Sequence, residues 1–142
     1  MTIAAILKGK GHEVTYIGPD ASLRDAADLL AAKRIGCVPV MEGDEVVGML
    51  SERDIVRSIG TDHGDVLARP VRELMTNPVL TVTPDVAAIT ALSMMTRRRV
   101  RHLPVVENGR MTGLVSIGDL VKYRIDHIEA EATAMREYIQ NA

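Results

Sequence analysis

The sequence predicts an α/β (α+β) fold: two β-α-β-β-α repeats packed about a pseudo-twofold axis, followed by a long C-terminal helix. Shifted by 65 residues, the chain matches itself at 12 of 44 positions between Val14 and Arg57, where average residue usage gives about three. Within each copy, strand-like and helix-like apolar spacings follow in the same order. The predicted division is a first repeat with its lead-in helix over 1–66, a second repeat over 67–125 and a helical extension over 126–142.

The first repeat contains signals for each element in turn. A lead-in helix is predicted from Thr2 to Lys8, and VTYI at 14–17 predicts a short strand closed by a proline turn. Ser22 opens a helix start signal. The apolar runs CVPVM and EVVGML on either side of residues 42–44 predict a hairpin, and a second helix is expected from Ser51.

The second repeat follows the same order. VLTV at 79–82 predicts a strand, residues 89–100 a helix, and HLPVV with RMTGLV around 107–109 a hairpin, before a helix from Ser116. A three-stranded unit of this size leaves one face exposed, so we expect the two copies to face each other. This arrangement predicts two matching clefts where helix ends and strand ends converge, and a ligand site is expected there.

The C-terminal tail departs from the repeat and continues as a helix to about Ile139. Its apolar positions are spaced 4, 3, 4, 3 and 4, which is a heptad seam: Val121, Ile125, Ile128, Ala132, Met135 and Ile139. Two interpretations remain open at this point. The seam either folds back on its own domain or contacts a second copy of the chain.

The composition argues against nucleic acid or membrane as a partner. The chain has 142 residues, a net charge of −2 and a pI near 6.1, whereas those partners need a broad basic face. It has three Tyr and neither Trp nor Phe on which bases could stack. Its single cysteine, Cys37, forms no intramolecular disulfide, and no apolar run approaches the roughly 20 residues that span a bilayer. We therefore expect a cytoplasmic protein.

Ser-x-x-Asp occurs where the second helix of each repeat begins, as Ser51 with Asp54 and as Ser116 with Asp119. This spacing is typical of a capping box, in which the two side chains bind free backbone N–H groups. The same helix end attracts an anion, and the carboxylate can accept hydrogen bonds from the two hydroxyls of a ribose. The residues alone leave both interpretations open.

A basic cluster, RRRVRHLPV, lies at the entrance to the second hairpin. Arg101 and His102 start the strand whose neighbour leads into Ser116, so we expect both side chains at that helix start as phosphate donors. Residues 97–99 lie in the last turn of the preceding helix, where cations complement the dipole. Arg53 is expected to reach across the pseudo-twofold axis toward the second cleft, or else to be an ordinary surface arginine.

These segments together resemble a tandem CBS-domain module, or Bateman module, over roughly residues 12–125. The resemblance rests on GMLSERDIV, GLVSIGDLV, the Met-Thr-Asn-Pro entry at 75–78 and RHLPVVENG, in an order that occurs twice. It implies a pair that binds an adenosine-containing ligand: AMP, ADP, ATP, NAD(H) or S-adenosylmethionine. It also implies a homodimer formed through the helices.

The resemblance assigns roles to particular residues. The ribose contact falls on Asp54 and Asp119, and the hydroxyl near the phosphate falls on Ser51 and Ser116. The basic residues before the strand are Arg101 and His102, and adenine is expected beside Ile17, Val82 and Met75. In the first repeat Gly36 and Cys37 replace the basic pair, so the resemblance does not extend to a phosphate site there.

The function predicted from these features is a regulatory adenine-nucleotide-binding module without catalysis. AMP is the first choice of ligand, with NAD(H), ATP and S-adenosylmethionine as alternatives, and the regulated partner is unidentified. The competing hypotheses are a ligand-free dimerisation module, whose Ser-x-x-Asp turns are only helix caps, and an enzyme acting on a nucleotide. No metal or catalytic cofactor is expected, because His12, His63 and His127 are scattered surface residues without the spacing of metal ligands.

Overall fold

A computed structural model describes residues 1–62 and 64–142, so His63, expected at the surface, lies outside the described residues. The order of elements follows the predicted duplication. The helices are α1 (Ile3–Lys10), α2 (Leu23–Lys33), α3 (Glu52–Thr61), α4 (Ala88–Arg98) and α5 (Ile117–Gln140). The strands are β1 (Cys37–Glu42), β2 (Glu45–Ser51), β3 (His102–Glu107) and β4 (Arg110–Ser116).

Both predicted hairpins form, with the same register. Cys37 lies opposite Ser51 in the β1–β2 ladder, as His102 lies opposite Ser116 in the β3–β4 ladder. Each ladder shifts register at the matching point, after Val40 and after Val105. The duplication in the sequence is therefore reproduced residue by residue in the pairing of the strands.

The structure corrects the predicted first strand of each repeat. Residues 14–17 form a single parallel bridge, from Ile17 to Val40. The Ile17 N–H donates to the Pro39 carbonyl at 3.1 Å, and the Ile17 carbonyl accepts from Met41 N–H at 2.8 Å. The adjacent ladder bonds would need N–H groups from Pro19 and Pro39, and proline has none. Pairing therefore stops after one residue.

The second repeat carries the same block in the segment 79–82. Val82 N–H donates to the Pro104 carbonyl at 3.0 Å, and Val106 N–H donates to the Val82 carbonyl at 2.8 Å. Pro84 and Pro104 occupy the two positions from which the bridge would have to extend. The four prolines therefore explain both missing strands.

Each hairpin packs into its own core. The segment that precedes each repeat in the chain packs in the core of the other repeat. α1 does not join the repeat that follows it in the chain: Ile3, Ile6 and Leu7 pack in the second core with Leu103 and Val115. The 3-10 turns Val66–Ala68 and Val71–Glu73 contribute Val66 and Val71 to the first core. The division of the chain at residues 66 and 67 remains a prediction, but the packing joins the N-terminus to the second repeat.

The two repeats meet where β2 contacts β4. The Met111 N–H donates to the Asp44 carbonyl at 3.0 Å, and the Arg110 guanidinium lies 3.6 Å from the Asp44 carboxylate. These contacts join the turn of the first hairpin to the start of β4. They fix the approach of one repeat to the other.

Helix α5 decides between the two interpretations of the C-terminal seam. Leu120 is buried, but every residue from Arg124 to Gln140 is exposed. The large apolar side chains of the seam are 43–65% exposed: Val121, Ile125, Ile128, Met135 and Ile139. The seam therefore does not fold back on its own domain.

Candidate functional site

Both Ser-x-x-Asp turns form capping boxes. Ser116 Oγ accepts from Asp119 N–H at 3.1 Å, and Asp119 Oδ2 accepts from Ser116 N–H at 2.8 Å. The matching distances for Ser51 and Asp54 are 3.2 Å and 2.9 Å. The cap is therefore present in each repeat. We call the turn at 116–119 the second acidic turn and the turn at 51–54 the first acidic turn.

The second acidic turn holds a cation that the sequence analysis missed. Lys10, the last residue of α1, places its Nζ 2.6 Å from Asp119 Oδ2 and donates a second hydrogen bond to the Leu114 carbonyl at 2.7 Å. Lys10 and Asp119 are far apart in the chain, and they meet because α1 packs in the second core. The 65-residue shift pairs Lys10 with Met75 and gives no sign of this contact.

The charged groups around this turn act on one another's pKa values. Burial raises the pKa of Asp119, but hydrogen bonds from Lys10 and from the Ser116 backbone outweigh it and hold the pKa below its usual 3.8. Burial lowers the pKa of His102 below 6.5, and the positive charges of Lys10 and Arg101 lower it further, against the opposing effect of Asp119. Near neutral pH, His102 is therefore an uncharged imidazole between two cations.

The backbone explains why these side chains meet. His102 lies opposite Ser116 in the ladder, and the Arg101 carbonyl accepts from Ile117 N–H at 2.8 Å. The start of β3 is thereby joined to the first turn of α5. Arg101, His102, Ser116 and Asp119 form the cluster that the sequence predicts, with Lys10 added to it.

Within residues 1–62 and 64–142, the first acidic turn has no cation of this kind. Thr76 Oγ1 donates to Asp54 Oδ1 at 3.2 Å, a neutral contact in place of an ammonium group. Burial and then the Asp54 charge raise the pKa of the Cys37 thiol to about 12, so this residue is not an anionic nucleophile at neutral pH. Gly36 occupies the position of Arg101, and Glu52 Oε1 would lie 3.2 Å from a Cβ built there.

The candidate adenine contacts lie largely inside the two cores. Ile17 and Val82 are buried at the single bridges of their repeats. Met75 is half-buried over Gly48, where an added Cβ would come within 2.3 Å of the Met75 sulfur. Gly48 therefore admits the Met75 side chain. The contribution of these three residues to a ligand site remains a prediction.

Arg53 lies exposed on α3 and makes no hydrogen bond or ion pair within residues 1–62 and 64–142. That its side chain reaches across toward the second cleft remains a prediction. The arginines at 97–99 are also exposed, and Arg99 ends α4 with a φ of +55°. They form a solvated helix end, as the sequence predicts.

A surface pocket of about 150 Å³ lies between α4 and α5, and its lining includes no residue of either acidic turn. Its lining includes Ile89, Leu92, Leu120, Tyr123 and His127. Within the described part of the chain, no group of three His, Cys, Asp or Glu side chains could hold a metal ion. Over the same residues, no helix is both long and apolar enough to cross a bilayer.

One solved structure with a similar fold contains a bound nucleotide. The structure of the protein CBSX2, in complex with AMP, superposes with a TM-score of 0.72 at 24% identity, covering 80% of this chain and 89% of that one. At this identity the likeness concerns the fold.

Three further matches concern the family. Residues 11–61 and 71–126 match the CBS domain family. The chain is 30% identical over 148 residues to the mitochondrial CBS domain-containing protein CBSX3 of Arabidopsis thaliana, covering 98% of this chain and 72% of that protein. The structure of a CBS-domain-containing protein from Agrobacterium tumefaciens has a TM-score of 0.82 and 37% identity, covering 87% of this chain and 99% of that one. With its two repeats, two hairpins and two acidic turns, this chain belongs to the CBS-domain family.

Proposed function

We propose that the chain is a regulatory module that binds an adenosyl ligand at the second acidic turn and catalyses no reaction. The observation that carries this proposal is the meeting of the Asp119 carboxylate with Arg101, His102 and Lys10 at the N-terminus of α5. A carboxylate there suits the two ribose hydroxyls, and a helix N-terminus flanked by cations suits a phosphate. AMP has both groups and is the preferred candidate, with NAD(H), ATP and S-adenosylmethionine as alternatives.

Two further points support an adenine nucleotide. A neighbour of the same fold carries AMP. The predicted adenine contact Val82 lies in the same core as Leu120, one residue after Asp119. A ligand held by the second acidic turn would therefore have a buried apolar core beside it.

Regulation would act through the contact between the repeats. A ligand that binds one arrangement of β2 against β4 more tightly than another shifts the balance by its difference in affinity. The ion pair between the exposed side chains of Asp44 and Arg110 contributes little free energy, so it can break and form again when the two repeats move. The output would then pass to a regulated partner protein or to the assembly of this chain.

Isothermal titration calorimetry with AMP, ATP, NADH and S-adenosylmethionine tests the ligand. We expect saturable binding of AMP, weakened at least tenfold in Asp119→Asn. Asp25→Asn is the matched control, because Ser22 and Asp25 form the same capping box on α2. That variant should leave the affinity unchanged. Binding of none of the four compounds, or equal affinities in wild type and Asp119→Asn, would reject the proposal.

We also propose that the exposed α5 seam contacts a second copy of the chain. Every residue from 124 to 140 is exposed, and a heptad seam of this kind is typical of paired helices. Light scattering after gel filtration should give a dimer that Ile128→Glu dissociates. Ala130→Glu, two residues away and off the seam, should leave the dimer intact. A monomeric wild type, or equal dissociation in both variants, would contradict this proposal. A dimer that binds no nucleotide would favour the dimerisation module without a ligand.

A further inference from the structure

One oxygen of the carboxylate proposed to hold the ribose is already occupied. Asp119 Oδ2 accepts hydrogen bonds from Ser116 N–H and from the Lys10 ammonium, the latter at 2.6 Å. The two side chains are only 37% and 25% exposed, for Lys10 and Asp119 respectively. A ribose whose two hydroxyls bind both oxygens of Asp119 has to compete with an internal cation at Oδ2.

The surrounding structure holds Lys10 in this position. It lies at the C-terminal end of α1, where the helix dipole favours a cation, and Asp119 lies in the first turn of α5, where the dipole favours an anion. α1 is anchored in the second core through Ile3 and Leu7. The chain after α1 is held as well, with His12 Nδ1 2.9 Å from the Thr112 carbonyl.

We propose that Lys10 makes the second acidic turn selective for phosphorylated adenosyl ligands, by releasing Asp119 to the ribose only when a phosphate takes the carboxylate's place beside the ammonium. This inference rests on the proposed function. A ligand without phosphate has to break the Lys10–Asp119 ion pair and leaves the ammonium with only the Leu114 carbonyl. A phosphorylated ligand supplies a new anionic partner among Lys10, Arg101 and His102.

The first acidic turn lacks this selection. Thr76 takes the place of Lys10 here: its hydroxyl donates to Asp54, and its N–H donates to the carbonyl of Met49, which matches Leu114 in the 65-residue shift. Displacing a hydroxyl leaves no charge without a partner. The requirement for phosphate is therefore a property of the second turn alone.

Titration of wild type and Lys10→Met with AMP and with adenosine tests the inference. Lys10→Met keeps an unbranched side chain and removes the positive charge. We expect this variant to bind AMP more weakly and adenosine about fivefold more tightly, because an ion pair of this exposure is worth a factor of that order. Lys8→Met, on the same helix and exposed, is the matched control and should change neither affinity.

The result that overturns this inference is an adenosine affinity that does not rise in Lys10→Met while AMP still binds the wild type. That outcome leaves the proposed function standing, with Lys10 as an ordinary phosphate contact. Failure of the wild type to bind either compound rejects the proposed function and this inference together. Lys10→Gln, which keeps a polar side chain, serves as a second variant if Lys10→Met does not fold, and the same adenosine result is expected from it.

Discussion

The two acidic turns share one backbone and differ in charge. Both are capping boxes at matching positions, with a hairpin partner directly opposite the serine. Around Asp119 lie Lys10, Arg101 and His102, whereas around Asp54 lie Thr76 and the un-ionised thiol of Cys37. The duplication thus preserved the scaffold, while substitution of a few residues on its rim gave the two turns different chemistry.

The largest effect is expected from weakening the packing of α1, the helix that supplies Lys10. Leu7 is 1% exposed in the second core and fills the space over Gly113, where an added Cβ would lie 2.7 Å from its Cδ1. Leu7→Ala should lower the free energy of unfolding by about 3 kcal/mol, as lost contacts and a cavity predict. Urea denaturation measures the change, with Lys8→Ala as the control on the same helix. A loss below about 1 kcal/mol would mean that α1 is not part of this core.

The next largest effect is expected from a substitution that removes a charge from the second turn and so makes it resemble the first. Arg101→Gly places the residue of Gly36 at the matching position and should weaken AMP binding about tenfold, by removing one charge-assisted contact. Arg99→Gly removes the same charge two residues away, at a φ of +55° that glycine adopts freely. Calorimetry should find AMP affinity unchanged in that control. Equal losses in both variants would indicate a general charge effect rather than a site.

These comparisons also show how far the sequence alone leads. The repeat, both hairpins and the capping boxes follow from local patterns, and those predictions are confirmed. Arg101, His102, Ser116 and Asp119 could be grouped because a hairpin and its following helix bring them together within 20 residues of one another.

What the sequence analysis missed depends on contacts distant in the chain or on single atoms. Lys10 reaches Asp119 because the N-terminal helix crosses to the second repeat, and a self-comparison of the chain contains no record of that exchange. The strands predicted at 14–17 and 79–82 satisfy the apolar pattern, but prolines remove the donors on both sides of each bridge. Pro19 and Pro39 are visible in the sequence. Their effect on the strand could be predicted only once it was known which residues pair with which.

A smaller effect is expected at the first turn. Thr76→Val removes the hydroxyl that donates to Asp54 and keeps the shape of the side chain. The loss of one hydrogen bond from this exposed side chain should lower the free energy of unfolding by about 0.5 kcal/mol. It should leave AMP binding at the second turn unchanged. Thermal denaturation and calorimetry measure the two quantities, and a weaker AMP affinity would indicate that the turns do not act separately.

The smallest effect is a loss of stability at mildly acidic pH, which is expected from His102 at the second turn. The pKa of His102 is below 6.5 in the folded chain because burial, Lys10 and Arg101 disfavour its charged form, against the attraction of Asp119. The unfolded chain therefore takes up more protons as the pH falls below about 6.5, and stability contributed by neutral His102 is lost in that window.

Asp119 acts in a lower window with the same sign. Its folded pKa is below 3.8, so its contribution is complete above that pH and is lost as the pH falls through the folded value. Melting temperatures of wild type and His102→Cys, the residue of the first repeat at this position, should therefore run parallel between about pH 7 and 8 and diverge below about 6.5, with the wild type falling more steeply. Parallel profiles throughout would mean that the pKa of His102 is not lowered in the folded chain.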